Sequence, residues 1–246
     1  MAGTNYLNRT LTSWKMRRNR RRILLIDDLD AGYVPVTKVA STSIRRRICK
    51  RQAARQFPDL EGLSGVRLQA QVERRIRISA SVGEALDLGE QRFLFAFVRN
   101  PLTRLYSCYL DKVVVAANKG RPCTLAPWGV SAAMSFEDFV RCIAAIPDDQ
   151  ADQHFRSQYP LLWYRDQWLV DSIGHFESLD EDWEVLAAKI GLDQLPGRQR
   201  SSGAGDALRR LPLSADVAGL AVQRYRQDID LFGYREEIDR WLAGLH

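Results

Sequence analysis

From residue 23 onward, short apolar runs alternate with amphipathic stretches. Ile23 to Ile26 is an apolar run that ends at Asp27-Asp28; a turn at Asp30-Ala31-Gly32 would let it pair with a second strand over Tyr33 to Val36. Ser41 to Gln56 places Ile44 and Ile48 one turn apart, which predicts a helix with an apolar inner face and its arginines outward. Phe57 to Gly65 reads as a loop, and in Val66 to Leu88 the residues Leu68, Val72 and Ile76 fit a helical period. Arg92 to Val98 is apolar nearly throughout, as in a strand covered on both faces. The next helix carries Leu102, Leu105, Tyr109 and Val113 on one side, and Asn118 to Met134, with its Gly, Pro and Trp, predicts a long loop over the active face. Ser135 caps a further helix with Asp138 in capping-box position, and Pro147 ends it. Trp168 to Phe176 contains a strand, and Asp180 opens a helix that stops before Gly191. Leu192 to Pro212 is rich in Gly, Ser and Arg, and a last helix runs from about Ser214 to Leu231, closed by Phe232-Gly233-Tyr234. This alternation predicts an α/β fold: a three-layer, P-loop-like domain with a mainly parallel central sheet flanked by helices, over residues 23–246.

Charge adds a second feature. The net charge is +6, and it is uneven: Arg9 to Arg22 holds seven Lys/Arg and no acid, while Arg45, Arg46, Arg47, Lys50 and Arg51 form a second cluster. Such clusters favour anionic partners, among them nucleotides, acidic glycans, nucleic acid and membrane surfaces. Residues 1–22 read as a basic, flexible arm. The four cysteines, Cys49, Cys108, Cys123 and Cys142, are widely spaced, without zinc-site spacing, and read as reduced thiols. No apolar run approaches the length of a membrane span, and no apolar signal segment follows the first charges. The expected location is cytoplasmic, with the arm able to rest on an anionic membrane face.

The candidate chemistry lies at two strand-to-helix junctions. Past the first strand pair stand Lys38, Val39 and Ala40, then three consecutive hydroxyls, Ser41, Thr42 and Ser43. Past Phe93 to Val98 come Arg99, a capping Asn100, Pro101 at the first helical position, and Ser107 two turns along. Each junction offers a cation, hydroxyls and free helix N–H groups, which suits a phosphate. Two such sites suggest a ligand with phosphates at both ends. Without glycines the first is not a Walker A loop.

These segments resemble the nucleotide-dependent sulfotransferases, especially the Golgi-type carbohydrate sulfotransferases (sulfotransferase family 2). Thr37 to Ile44 is similar to the family's 5′-phosphosulfate loop, and Val98 to Tyr109 to its 3′-phosphate motif, with Arg and Ser eight apart. Asp152-Gln153-His154-Phe155-Arg156-Ser157-Gln158, Ile173-Gly174-His175-Phe176-Glu177 and Tyr225 to Tyr234 resemble three further family segments. Thr37 stands where the family commonly has Pro, and Asn100 where it commonly has Asp.

The resemblance implies 3′-phosphoadenosine 5′-phosphosulfate as cosubstrate, with no metal, and transfer to a hydroxyl of a carbohydrate or glycolipid. Lys38 would offset charge on the leaving phosphate, and Lys38 to Ser43 would hold the 5′ end. Arg99 and Ser107 would grip the 3′-phosphate, with Arg104 bracing the site. Arg200 and Ser201 would close over the nucleotide. His154 is the candidate base and Glu177 its alternative, while His175 reads as structural. Two other readings are a P-loop-type kinase, which would need magnesium, and, from the basic arm and arginine clusters, a non-catalytic nucleic-acid-binding protein; the sequence has no nucleic-acid-reading motif.

Overall fold

The computed structural model describes residues 23–75, 78–79, 92–164, 167–193 and 204–245. The basic arm, residues 1–22, and Arg200 and Ser201 lie outside these residues. The chain divides into two compact units, one from stretches within 21–99 and 160–201, the other centred on 100–159 and the chain after 202.

The first unit holds a five-stranded sheet. Its strands are β1 (Ile23–Ile26), β2 (Ala31–Tyr33), β3 (Ile78–Ser79), β4 (Phe93–Val98) and β7 (Ser172–His175), in the order β3-β1-β2-β4-β7. β1 runs against both its neighbours, while β2, β4 and β7 are mutually parallel, so the sheet is mainly parallel and the α/β class holds. β5 (Trp163–Tyr164) and β6 (Gln167–Trp168) form a separate small hairpin. Helices α1 (Ser41–Gln56), α2 (Gly65–Arg75) and α7 (Leu179–Ile190) complete the unit.

Side-chain packing explains the order of the central strands. Leu94 to Val98 are all buried, as a strand covered on both faces requires. Tyr33 and Phe95 are register partners whose rings lie 5.4 Å apart, and Phe97 stacks on Trp183 of α7 at 6.0 Å. Gly32 belongs to β2 and not to the preceding turn. A Cβ there would meet Leu94 Cδ2 at 2.7 Å, so the glycine serves strand packing, and the turn is made by Asp27–Leu29 with Asp30 in the left-handed region. One arginine of α1 also departs from the outward pattern: Arg51 is buried, donating to Asp28 at 2.9 Å and Asp193 at 3.2 Å. Paired on two sides, its charge tolerates the interior.

The second unit begins with α3 (Pro101–Tyr109), which continues through a π-helical turn, Leu110–Val114, into α4 (Val115–Asn118). Asn100 Oδ1 accepts from the N–H groups of Leu102 and Thr103, an N-cap with Pro101 behind it. α5 (Phe136–Ala144) is capped by Ser135, whose hydroxyl accepts the Asp138 N–H at 3.1 Å and donates to its carboxylate. The Gly- and Arg-rich stretch includes a helix, α8 (Ala204–Arg209). The single last helix expected from the pattern is two, α9 (Ala215–Arg224) and α10 (Arg226–Leu231), broken at Tyr225, whose ring is buried. A further helix, α11 (Arg235–Leu242), follows Gly233, which at φ +76° links two helices rather than ending the fold. Its buried Ile238 and Trp241 lie three residues apart. All four cysteines are free thiols, and among the described residues no helix is long and apolar enough to cross a membrane.

Candidate active site

In the first unit, parallel pairing carries the ends of β2, β4 and β7 forward together. The Val34 N–H donates to the Phe95 carbonyl at 2.8 Å, and the Phe176 N–H to the Val98 carbonyl at 2.7 Å. In open α/β sheets, ligands bind beyond the carboxyl ends of such strands. The segment after β2 turns through left-handed backbone at Lys38 (φ +68°) and Ala40 (φ +59°) before α1 begins at Ser41. Non-glycine residues rarely adopt this conformation, and alternating handedness turns successive N–H groups toward one point, the geometry of an anion nest. Val39 is fully buried and anchors the loop, while Thr42 and Ser43 are exposed and Ser41 is half-buried. The first N–H groups of α1 add to the same positive end.

The segment after β4 meets this loop. Arg99 Nη1 donates to the Lys38 carbonyl at 3.4 Å, and its guanidinium lies over the Phe176 ring, 4.3 Å from the centroid. Backbone on one side and an aromatic face on the other fix the direction of the guanidinium. The sequence alone gives Phe176 no role, because its cation–π contact depends on β4 and β7 being neighbours, which local sequence does not state. His175 is the last residue of β7, and Glu177 lies just beyond it. The His175 N–H donates to Asp182 at 2.6 Å and its Nδ1 is 3.6 Å from the same oxygen, a structural arrangement.

In the second unit, Ser107 sits half-buried on α3. Asn100 Nδ2 donates to Glu237 of α11 at 2.8 Å, a bond a carboxylate at position 100 could not make. His154 lies in the irregular stretch that follows α5. Asp152 Oδ1 accepts the His154 N–H at 2.9 Å and stands 2.5 Å from His154 Nδ1. Burial alone would raise the Asp152 carboxyl, but the hydrogen bonds and charge of His154, with Lys112 nearby, win and hold it below the usual carboxylate range. An ionised carboxylate only accepts, so Nδ1 of His154 carries a proton toward Asp152. Arg104 is fully buried and donates to the carbonyls of Arg156 at 2.7 Å and Gln153 at 3.1 Å, on either side of His154. Among the described residues no cluster of His, Cys, Asp or Glu has the arrangement of a metal site.

Sheet and flanking helices together define an α/β fold with basic residues at two strand-to-helix junctions. The sulfotransferase family model matches residues 21–235, and the chain belongs to that family; its chemistry is transfer of a sulfuryl group. No curated protein and no solved structure matches the chain.

Proposed function

We propose that the protein moves a sulfuryl group from 3′-phosphoadenosine 5′-phosphosulfate to a hydroxyl of a carbohydrate or glycolipid. The observation that carries this reading is the contact of Arg99 with the Lys38 carbonyl, which joins the two basic junctions within a family of sulfuryl-transfer enzymes. Lys38, Val39, Ala40 and the hydroxyls Ser41, Thr42 and Ser43 hold the 5′ end of the donor, and Arg99 and Ser107 hold the 3′-phosphate. The donor supplies an activated sulfuryl group. Lys38 offsets the charge that grows on the leaving phosphate as the S–O bond breaks, a role worth most where water is excluded. His154 Nε2 takes the proton of the acceptor hydroxyl while Asp152 keeps the ring in the required tautomer.

A thermal-shift comparison tests the donor. Adenosine 3′,5′-bisphosphate should raise the melting temperature at concentrations where AMP and ATP do not, with or without a chelator. An equal or larger shift from ATP with magnesium would point to the kinase reading instead.

A further inference from the structure

The irregular stretch from Asp148 to Tyr159 carries the Asp152–His154 dyad, yet its supports come from far along the chain. Arg104 on α3 donates to the Gln153 and Arg156 carbonyls. The Tyr225 hydroxyl, at the break between α9 and α10, donates to the Phe155 carbonyl at 2.6 Å. Asp228 on α10 accepts the Gln158 N–H at 2.8 Å, the Tyr159 N–H at 2.8 Å and the Gln158 side-chain amide at 3.4 Å. Arg224 donates to Asp148, which also accepts the Ser157 N–H at 3.0 Å. Arg104, Tyr225 and Asp228 are each at most 1% exposed.

Burying an arginine, a phenol and a carboxylate is costly, and apolar side chains of similar volume stabilise a core as well or better. Here each polar end falls on the backbone of one loop, and the carbonyls of Gln153 and Phe155, the two neighbours of His154, are both held. We propose that Arg104, Tyr225 and Asp228 are positioning residues that fix the His154 ring for proton transfer, an inference that rests on His154 being the base. A small displacement of a reacting group can cost about a hundredfold in rate, so loss of one support has a measurable effect short of unfolding.

The test uses Tyr225→Phe and Arg104→Lys, each alone and combined with His154→Ala. Phenylalanine keeps the buried ring, and lysine keeps the charge but cannot bond two carbonyls in the arginine's fork. Each single variant should lower kcat about tenfold with the donor KM unchanged. On His154→Ala the further loss should be under about twofold, because the group being positioned is gone. The Nδ1 proton of His154, seen by NMR, should exchange faster in both single variants. An equal tenfold loss in both backgrounds, or an unchanged kcat and proton signal, overturns the proposal while leaving the base assignment intact. If His154→Ala itself retains full turnover, the base assignment falls and this proposal falls with it.

Discussion

The Lys38 loop and the Asp148–Tyr159 loop, which carry the groups proposed for donor binding and for proton transfer, are held by opposite means. The first is a backbone arrangement: two left-handed residues and a buried valine lead into the start of α1. The second has no such regularity and is held by side chains on α3, α9 and α10 and by Tyr225 between the last two, from 49 to 76 residues away in sequence. An anion needs several donors converging on it, which backbone N–H groups supply at low cost in side chains. A proton acceptor needs one ring in one orientation and one tautomer, which takes directed side-chain bonds.

The largest effect should follow from the cation of the first loop. Lys38→Ala should reduce turnover by roughly a hundredfold or more, while affinity for adenosine 3′,5′-bisphosphate changes only a few-fold. Rapid-quench kinetics beside equilibrium binding separate the two quantities, and a loss confined to binding would make Lys38 an anchor rather than a catalyst.

For the second loop, the sharpest stability test is pH. Burial lifts the Asp228 carboxyl from its ordinary value to about 6, more than the Gln158 and Tyr159 N–H groups lower it. The folded chain therefore keeps a proton that the unfolded chain releases near pH 4. The stability contributed by that proton is full below about pH 4 and is lost as pH rises through about 6, on the order of 3 kcal/mol. The difference in urea stability between the wild type and Asp228→Asn should fall over this window and then level off; a flat difference contradicts the assignment.

A smaller effect is expected where the second unit departs from the family pattern. Asn100→Asp keeps the helix cap but replaces the Asn100–Glu237 hydrogen bond with two facing carboxylates. The loss should be about 1–3 kcal/mol, seen as a lower melting temperature, and adding Glu237→Gln should restore most of it. The smallest effect tests the backbone arrangement. Ala40→Gly relieves a left-handed alanine at φ +59° and should be neutral or stabilising by about 1 kcal/mol, with turnover retained.

Both strand-to-helix junctions were legible because they are local. Lys38 to Ser43 and Arg99 to Ser107 are contiguous, and a buried strand followed by a capped helix reads from the apolar pattern alone. α1 spans Ser41–Gln56, the range the pattern predicted. Gly32 was misread as a turn because a glycine needed for packing against Leu94 looks, in sequence, like one needed for a bend. α11 was missed because Gly233 reads as a stop, and Arg51 because its two acidic partners lie 23 and 142 residues away. Tyr225 and Asp228 lie in a recognisable C-terminal segment, yet nothing in their sequence neighbourhood states that they bond residues 155–159.

The central claim is that the Lys38 loop and Arg99 grip opposite ends of one nucleotide. Isothermal titration of adenosine 3′,5′-bisphosphate and of adenosine 5′-monophosphate into the wild type and Arg99→Ala tests it most directly. The account predicts that the wild type prefers the bisphosphate by at least about tenfold and that Arg99→Ala loses this preference while still binding the monophosphate as before. An Arg99→Ala protein that binds both nucleotides more weakly by the same factor would contradict it.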